Sequence, residues 1–170
     1  MILDEPGWQL IDDFFLHEGQ GRSESTARRY ERIRSRLTEF LDLADMADSL
    51  GTHPATLLEA EREFHEHGAF WQLFGADELV CCLPAFLSDG WMPRSLGESR
   101  TQISLVGRLL THLRRNQVLD FSVVRCAFWE AEAAVKAARD NVAARASTAK
   151  PDDWSTDIPA RLRDQRSTDW

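Results

Sequence analysis

The stretch Gly21-Arg22-Ser23-Glu24-Ser25-Thr26 begins a basic amphipathic segment that continues through residues 27–43. Ser23 or Ser25 is a suitable N-cap, because a serine hydroxyl can accept a hydrogen bond from a free backbone N–H of the first helical turn. Apolar residues then recur at helical spacing, at positions 30, 33, 37, 40 and 41, and the arginines take other positions. The pattern predicts a helix with one side in the core and a basic surface.

A second segment of the same kind begins at Gly97-Glu98-Ser99-Arg100-Thr101 and runs through residues 102–119. Ser99 or Thr101 is expected to start this helix. Its apolar positions 106, 109 and 113 have the same spacing as positions 30, 33 and 37, although the identities are too few for a sequence repeat. Each basic helix is preceded by a shorter predicted helix, at residues 8–17 and 78–87.

The remaining segments also favour helices. A break at Gly51 and Pro54 predicts a helix that continues to about residue 67, and an Ala-rich helix is expected from Asp120 or Ser122 to about residue 146. No segment alternates for long with the period of two that strands require. We therefore expect an all-α fold, a compact bundle of about five to six helices in one domain, residues 1–147. The polar residues 148–170, with Trp154 and Trp170, are expected to form a flexible tail.

Composition limits the class of protein. The chain has 170 residues, a net charge of −8 and three cysteines, two of them adjacent. The cysteines give neither a disulfide framework nor zinc-ligand spacing. No apolar stretch approaches the roughly 20 residues that span a bilayer, and the acidic start does not resemble a secretory signal. We expect a cytoplasmic protein without a membrane partner.

The acidic average conceals a strong segregation of charge. Residues 21–36 hold six arginines and two glutamates, and residues 94–115 hold five arginines and one glutamate. Residues 39–78 hold ten acids and a single base, Arg62. The basic stretches coincide with the two matched helices. Since phosphate neutralisation requires Lys or Arg, these helices are the candidate surface for nucleic acid, and solvated helix faces are the alternative explanation.

Residues 8–43 resemble the opening helix pair of the core-binding domain of tyrosine recombinases (phage integrases). The matching features are a phenylalanine pair, a glycine turn, Ser-x-x-Thr-x-x-x-Tyr and a Leu/Phe stripe, supplied here by Phe14, Phe15, Gly21, Ser23, Thr26, Tyr30, Leu37 and Phe40. Residues 78–120 resemble the second pair, and residues 45–76 replace a usually short connection. The resemblance implies half of a clamp around DNA, with an insertion and an extra C-terminal helix.

The resemblance does not extend to catalysis. In that family, strand cleavage belongs to a separate domain with a tyrosine nucleophile. Here His112-Leu113-Arg114-Arg115 spells His-x-x-Arg, but it lies inside the presumed clamp helix and no tyrosine follows it. Tyr30 is the only tyrosine and lies on the apolar stripe. We expect no enzyme activity, no catalytic residues and no cofactor.

The expected function is non-catalytic DNA binding through the two basic helices. The alternative is a protein–protein interaction module of the same fold that uses the acidic residues 39–78 or exposed tryptophans, and an unrelated all-α ancestry is a third possibility. A helix-turn-helix at residues 46–60 has an acidic recognition segment, and Glu63 with His67 lacks a third metal ligand, so neither site is expected. The predicted DNA contacts are Thr26, Arg28, Arg29, Arg32, Arg36, Arg100, Thr101, Arg108, Arg114 and Arg115.

Overall fold

The computed structural model describes residues 7–148, and within this range the chain is helical with no strand. The all-α prediction is confirmed. The helices are α1 (Gly7–Gly19), α2 (Glu24–Leu43), α3 (Ala47–Leu50), α4 (Thr52–Arg62), α5 (Ala69–Leu73), α6 (Ala76–Phe86), α7 (Leu96–Arg115) and α8 (Phe121–Thr148). The described residues thus hold eight helices rather than five to six, because short helices form at α3 and α5.

The start of α2 follows the sequence prediction. Ser23 is the N-cap, and its hydroxyl accepts a hydrogen bond from the Thr26 backbone N–H at 3.4 Å. The hydroxyl groups of Ser23 and Thr26 are also hydrogen-bonded to each other at 2.9 Å. The expected apolar stripe is the buried one, at Tyr30, Ile33, Leu37, Phe40 and Leu41. Cap and stripe together orient the basic residues of α2 away from the core.

The predicted start of the second basic helix is wrong. Helix α7 begins at Leu96, so Ser99 and Thr101 lie inside it. The buried Ser99 hydroxyl donates to the carbonyl oxygens of Pro93 at 2.8 Å and Ser95 at 3.0 Å, and the Thr101 hydroxyl donates to the carbonyl four residues earlier. Such backward bonds let serine and threonine occupy a helix interior instead of a cap.

The segment between the two matched helix pairs folds onto the end of α2. Helix α4 ends at Arg62, five residues before its predicted end at 67. The Arg62 side chain is 13% exposed and donates to the carbonyl oxygens of Leu41 at 2.8 Å and Ala44 at 3.0 Å. The last carbonyls of a helix have no partner within it, so this arginine satisfies two of them. Asp42 in turn accepts a hydrogen bond from the Gly68 backbone N–H at 2.9 Å.

Helix α8 packs against both α6 and α7 and completes the core. Asp120 directly precedes α8, and its carboxylate accepts a hydrogen bond from the Ser122 backbone N–H at 2.9 Å, at the predicted start of this helix. The predicted tail, apart from Thr148, lies outside the described residues, as do Trp154 and Trp170. No helix among residues 7–148 has the length and apolar character needed to cross a membrane. The buried side of α8 consists of Val124, Phe128, Ala131, Val135, Ala138 and Val142.

Candidate nucleic-acid interface

The two basic helices lie side by side. Near the start of α2, the Tyr30 hydroxyl accepts a hydrogen bond from Arg108 in the second half of α7, at 3.0 Å. Farther along α2, Arg32 donates to Glu98 at the start of α7, at 2.8 Å, and Arg36 lies 3.8 Å from the same carboxylate. These contacts bring the basic residues of the two helices onto adjoining surfaces.

On α2, three of the predicted arginines share the side that faces α7. Arg29, Arg32 and Arg36 are spaced i, i+3 and i+7, which places them along one side of a helix. Contacts from Arg32 and Arg36 to Glu98 identify that side as the one beside α7. Arg29 is half-buried and forms no salt bridge with any residue between 7 and 148.

On α7, Arg100 and Arg115 lie on the side opposite the core. Ile103, Val106, Leu109, Leu110 and Leu113 are among the buried residues of the other side. Both arginines are exposed, and neither forms a salt bridge within the described part of the chain. They are therefore available to an anionic ligand, unlike the arginines that touch Glu98.

Helix α8 adds Arg139, which the sequence analysis missed. Its guanidinium lies over Gly107 of α7, where an added Cβ would be only 3.3 Å from Nη2. Arg100 and Arg139 line the same cleft of about 320 Å³ between α7 and α8. Arg139 lies close to Arg100 because α7 and α8 pack antiparallel, and no local sequence pattern indicates this contact. We call the resulting surface the basic face; it consists of Arg29, Arg32, Arg36, Arg100, Arg108, Arg115 and Arg139.

Arg108 has a structural role within the basic face. It forms a salt bridge with Glu18 of α1, donates to Tyr30 and lies over the Tyr30 ring at 5.5 Å from its centroid. Its side chain is 34% exposed, so it links α1, α2 and α7 while keeping one edge at the surface. We expect its replacement to disturb the fold as well as any ligand binding.

Other predicted contacts lie at the margin or are already engaged. Arg28 pairs with Glu24 on its own helix and is 72% exposed. Arg114 lies 3.9 Å from Glu132 of α8 and stacks over a phenylalanine ring, so its charge is neutralised at the α7–α8 boundary. The hydroxyl groups of Thr26 and Thr101 make the local bonds described for α2 and α7. These four residues contribute less to the basic face than Arg100 and Arg115.

The candidate metal residues do not converge. His65 pairs with Glu61 at 2.8 Å, while His67 turns to Asp42 at 3.3 Å. Among residues 7–148, no group of three His, Cys, Asp or Glu side chains is arranged to hold a metal ion.

Comparison with known proteins gives no relative. No family model, no curated protein and no solved structure matches this chain. The likeness to the recombinase core-binding domain therefore remains a prediction from the sequence.

Proposed function

We propose that this protein is a non-catalytic DNA-binding protein that holds duplex DNA against the basic face. The main support is the contact of α2 with α7, which puts the arginines of both helices on adjoining surfaces. Arg139 extends that surface onto a third helix. The likeness of residues 8–43 and 78–120 to a recombinase core-binding domain agrees with this function.

The local charge favours DNA despite the acidic average. The basic face has seven arginines, and among residues 7–148 the carboxylates that form salt bridges with them are Glu98 and Glu18. The face therefore has more arginines than paired carboxylates, on a protein whose net charge is −8. A charged surface of this kind attracts phosphates over short distances even when the whole molecule repels them.

The arrangement suits contacts with the DNA backbone. The arginines are spread over three packed helices, so no single helix projects alone as a major-groove reader would. Contacts with phosphates position a protein on DNA and provide most of the sequence-independent affinity. We therefore propose backbone binding with a strong dependence on salt.

The test is a titration of fluorescent duplex DNA at about 50 and 200 mM salt. The Arg100→Ala/Arg115→Ala double variant removes two exposed arginines that make no internal salt bridge. Arg125→Ala is the matched control, since Arg125 is exposed on α8 but stacks over Trp129 instead of joining the basic face. The double variant should lower the slope of log affinity against log salt by about two, and the control should leave it unchanged.

No binding at low salt, with tens of micromolar protein, would contradict DNA binding. The interaction-module alternative would then stand. Its support is the exposure of Trp129 and Trp8, at 60% and 49%, and the acidic character of residues 39–78.

A further inference from the structure

An open groove lies along α2, next to the basic face. Its first part is a cleft of about 490 Å³ between α1 and α2, walled by the nearly buried rings of Phe15 and Tyr30. Its second part, of about 440 Å³, continues along α2 to Glu66 and His67. The two parts meet at Glu31 and Arg34, and we call them together the α2 groove.

The α2 groove is strongly acidic. Its one arginine, Arg34, is held by Asp12 at 2.8 Å and by Glu31 at 3.0 Å. Asp13, Glu39 and Glu66 form no salt bridge with another residue of the described range. Charge complementarity thus favours a cationic occupant. The groove carboxylates are Asp12, Asp13, Glu31, Glu39, Asp42 and Glu66.

The α2 groove also has apolar side chains at its two ends. Leu16 lines the first part and Leu43 lines the second, and each is 67% exposed. A single exposed leucine is ordinary on a protein surface. Two leucines at opposite ends of one acidic groove, with Phe15 and Tyr30 in its wall, supply apolar contacts along a line.

We propose that the α2 groove docks a basic amphipathic helix of a partner protein. The lining residues on α2 extend from 27 to 43, a distance of about 24 Å at 1.5 Å per residue, which matches about four helical turns. An amphipathic helix places its apolar stripe in such a groove, and its lysines or arginines meet the carboxylates at the rim. No residue that lines the groove belongs to the basic face, so the proposal does not depend on DNA binding.

The test uses a synthetic peptide of about 18 residues, with leucine at helical i, i+3, i+4 and i+7 positions and lysine elsewhere. Fluorescence anisotropy against the full chain should give a dissociation constant of about 10–100 µM. A peptide of the same composition with a scrambled order, and a peptide with glutamate for lysine, should each bind at least about tenfold more weakly.

Two groove variants examine the two kinds of contact separately. Leu16→Ser/Leu43→Ser removes the apolar ends, and Glu39→Lys reverses a rim charge. Both should weaken peptide binding by about tenfold or more without lowering the melting temperature, because these side chains are exposed. The matched controls are Leu57→Ser and Glu63→Lys, exposed positions outside the groove.

Equal weakening by groove and control variants would overturn the proposal, as would equal binding of the ordered and scrambled peptides. Sedimentation of the chain alone addresses a different occupant: if Leu16→Ser/Leu43→Ser abolishes self-association of the unmodified protein, the groove binds a second copy and the proposal fails. The Arg100→Ala/Arg115→Ala variant should bind the peptide normally. This variant thus distinguishes a failure of the DNA-binding proposal from a failure of the peptide-docking proposal.

Discussion

Replacement of Glu98 by Gln should strengthen DNA binding. Glu98 is the carboxylate that faces two arginines of the basic face, Arg32 at 2.8 Å and Arg36 at 3.8 Å. Its side chain is 23% exposed, so it presents its negative charge where we place the DNA. Glutamine keeps the size of the side chain and an acceptor oxygen. The substitution therefore removes the charge and leaves the local packing unchanged.

The expected magnitudes follow from these contacts. Since Arg32 is 54% exposed and Arg36 27%, the pairs with Glu98 contribute no more than about 1 kcal/mol to the free energy of unfolding. Each arginine released to a phosphate should add about 0.9 to the salt slope, and hence about 1.8 for both. At about 50 mM salt we expect DNA affinity to rise three- to tenfold.

The assay is the same anisotropy titration, with urea denaturation to confirm that Glu98→Gln is folded. Glu59→Gln is the control, because Glu59 is 64% exposed on α4 and pairs with Arg62 rather than with the basic face. It removes the same charge from the whole protein. If both variants raise the affinity equally, net charge alone explains the gain and the basic face is refuted. Unchanged affinity and slope in a folded Glu98→Gln protein would refute it as well.

Two further predictions concern stability. Arg62→Ala should lower the free energy of unfolding by about 2–4 kcal/mol in urea denaturation, because two carbonyls at the end of α2 lose their partner. The control Glu59→Gln should lower it by less than about 0.5 kcal/mol, and equal losses in the two variants would contradict the capping role of Arg62. Burial lowers the pKa of His112, and the nearby charge of His17 lowers it further. The His112 ring packs near the Phe14 ring, with 5.4 Å between the ring centroids. The unfolded chain then binds the proton more readily than the folded chain, so the free energy of unfolding should fall as the pH drops through about 6.5. The fall should be smaller in His112→Gln. Identical pH profiles of the two proteins in urea denaturation would contradict this prediction.

The features predicted correctly from the sequence depend on neighbours along the chain. The Ser23 cap and the stripe from Tyr30 to Leu41 both follow from helical spacing over a few turns. The start of α7 was mispredicted because the Ser99 hydroxyl bonds backward to Pro93 and Ser95. A serine that caps and a serine that bonds backward look alike in a sequence, since the difference lies in the backbone conformation that precedes it.

The residues missed by the sequence analysis depend on contacts between distant elements. Arg139 belongs to the Ala-rich C-terminal helix, which was not among the predicted DNA contacts, and it joins Arg100 through the antiparallel packing of α7 and α8. Glu18, 90 positions away from Arg108, was likewise absent from the predicted interface. The charge pattern could identify the basic helices but not the partners that neutralise part of them, because those partners lie on other helices.

The position of α2 explains how a protein of net charge −8 can keep a basic face. Arg29, Arg32 and Arg36 lie on the side of α2 that contacts α7, whereas Glu31 and Asp42 line the groove on the other side. The helix is about 10 Å across with its side chains, which is comparable to the Debye length of about 8 Å at physiological ionic strength. Glu31 and Asp42 are therefore largely screened from a ligand on the basic face. At low salt they also act on the approach of DNA, since phosphates are repelled from the groove and directed to the α2–α7 side.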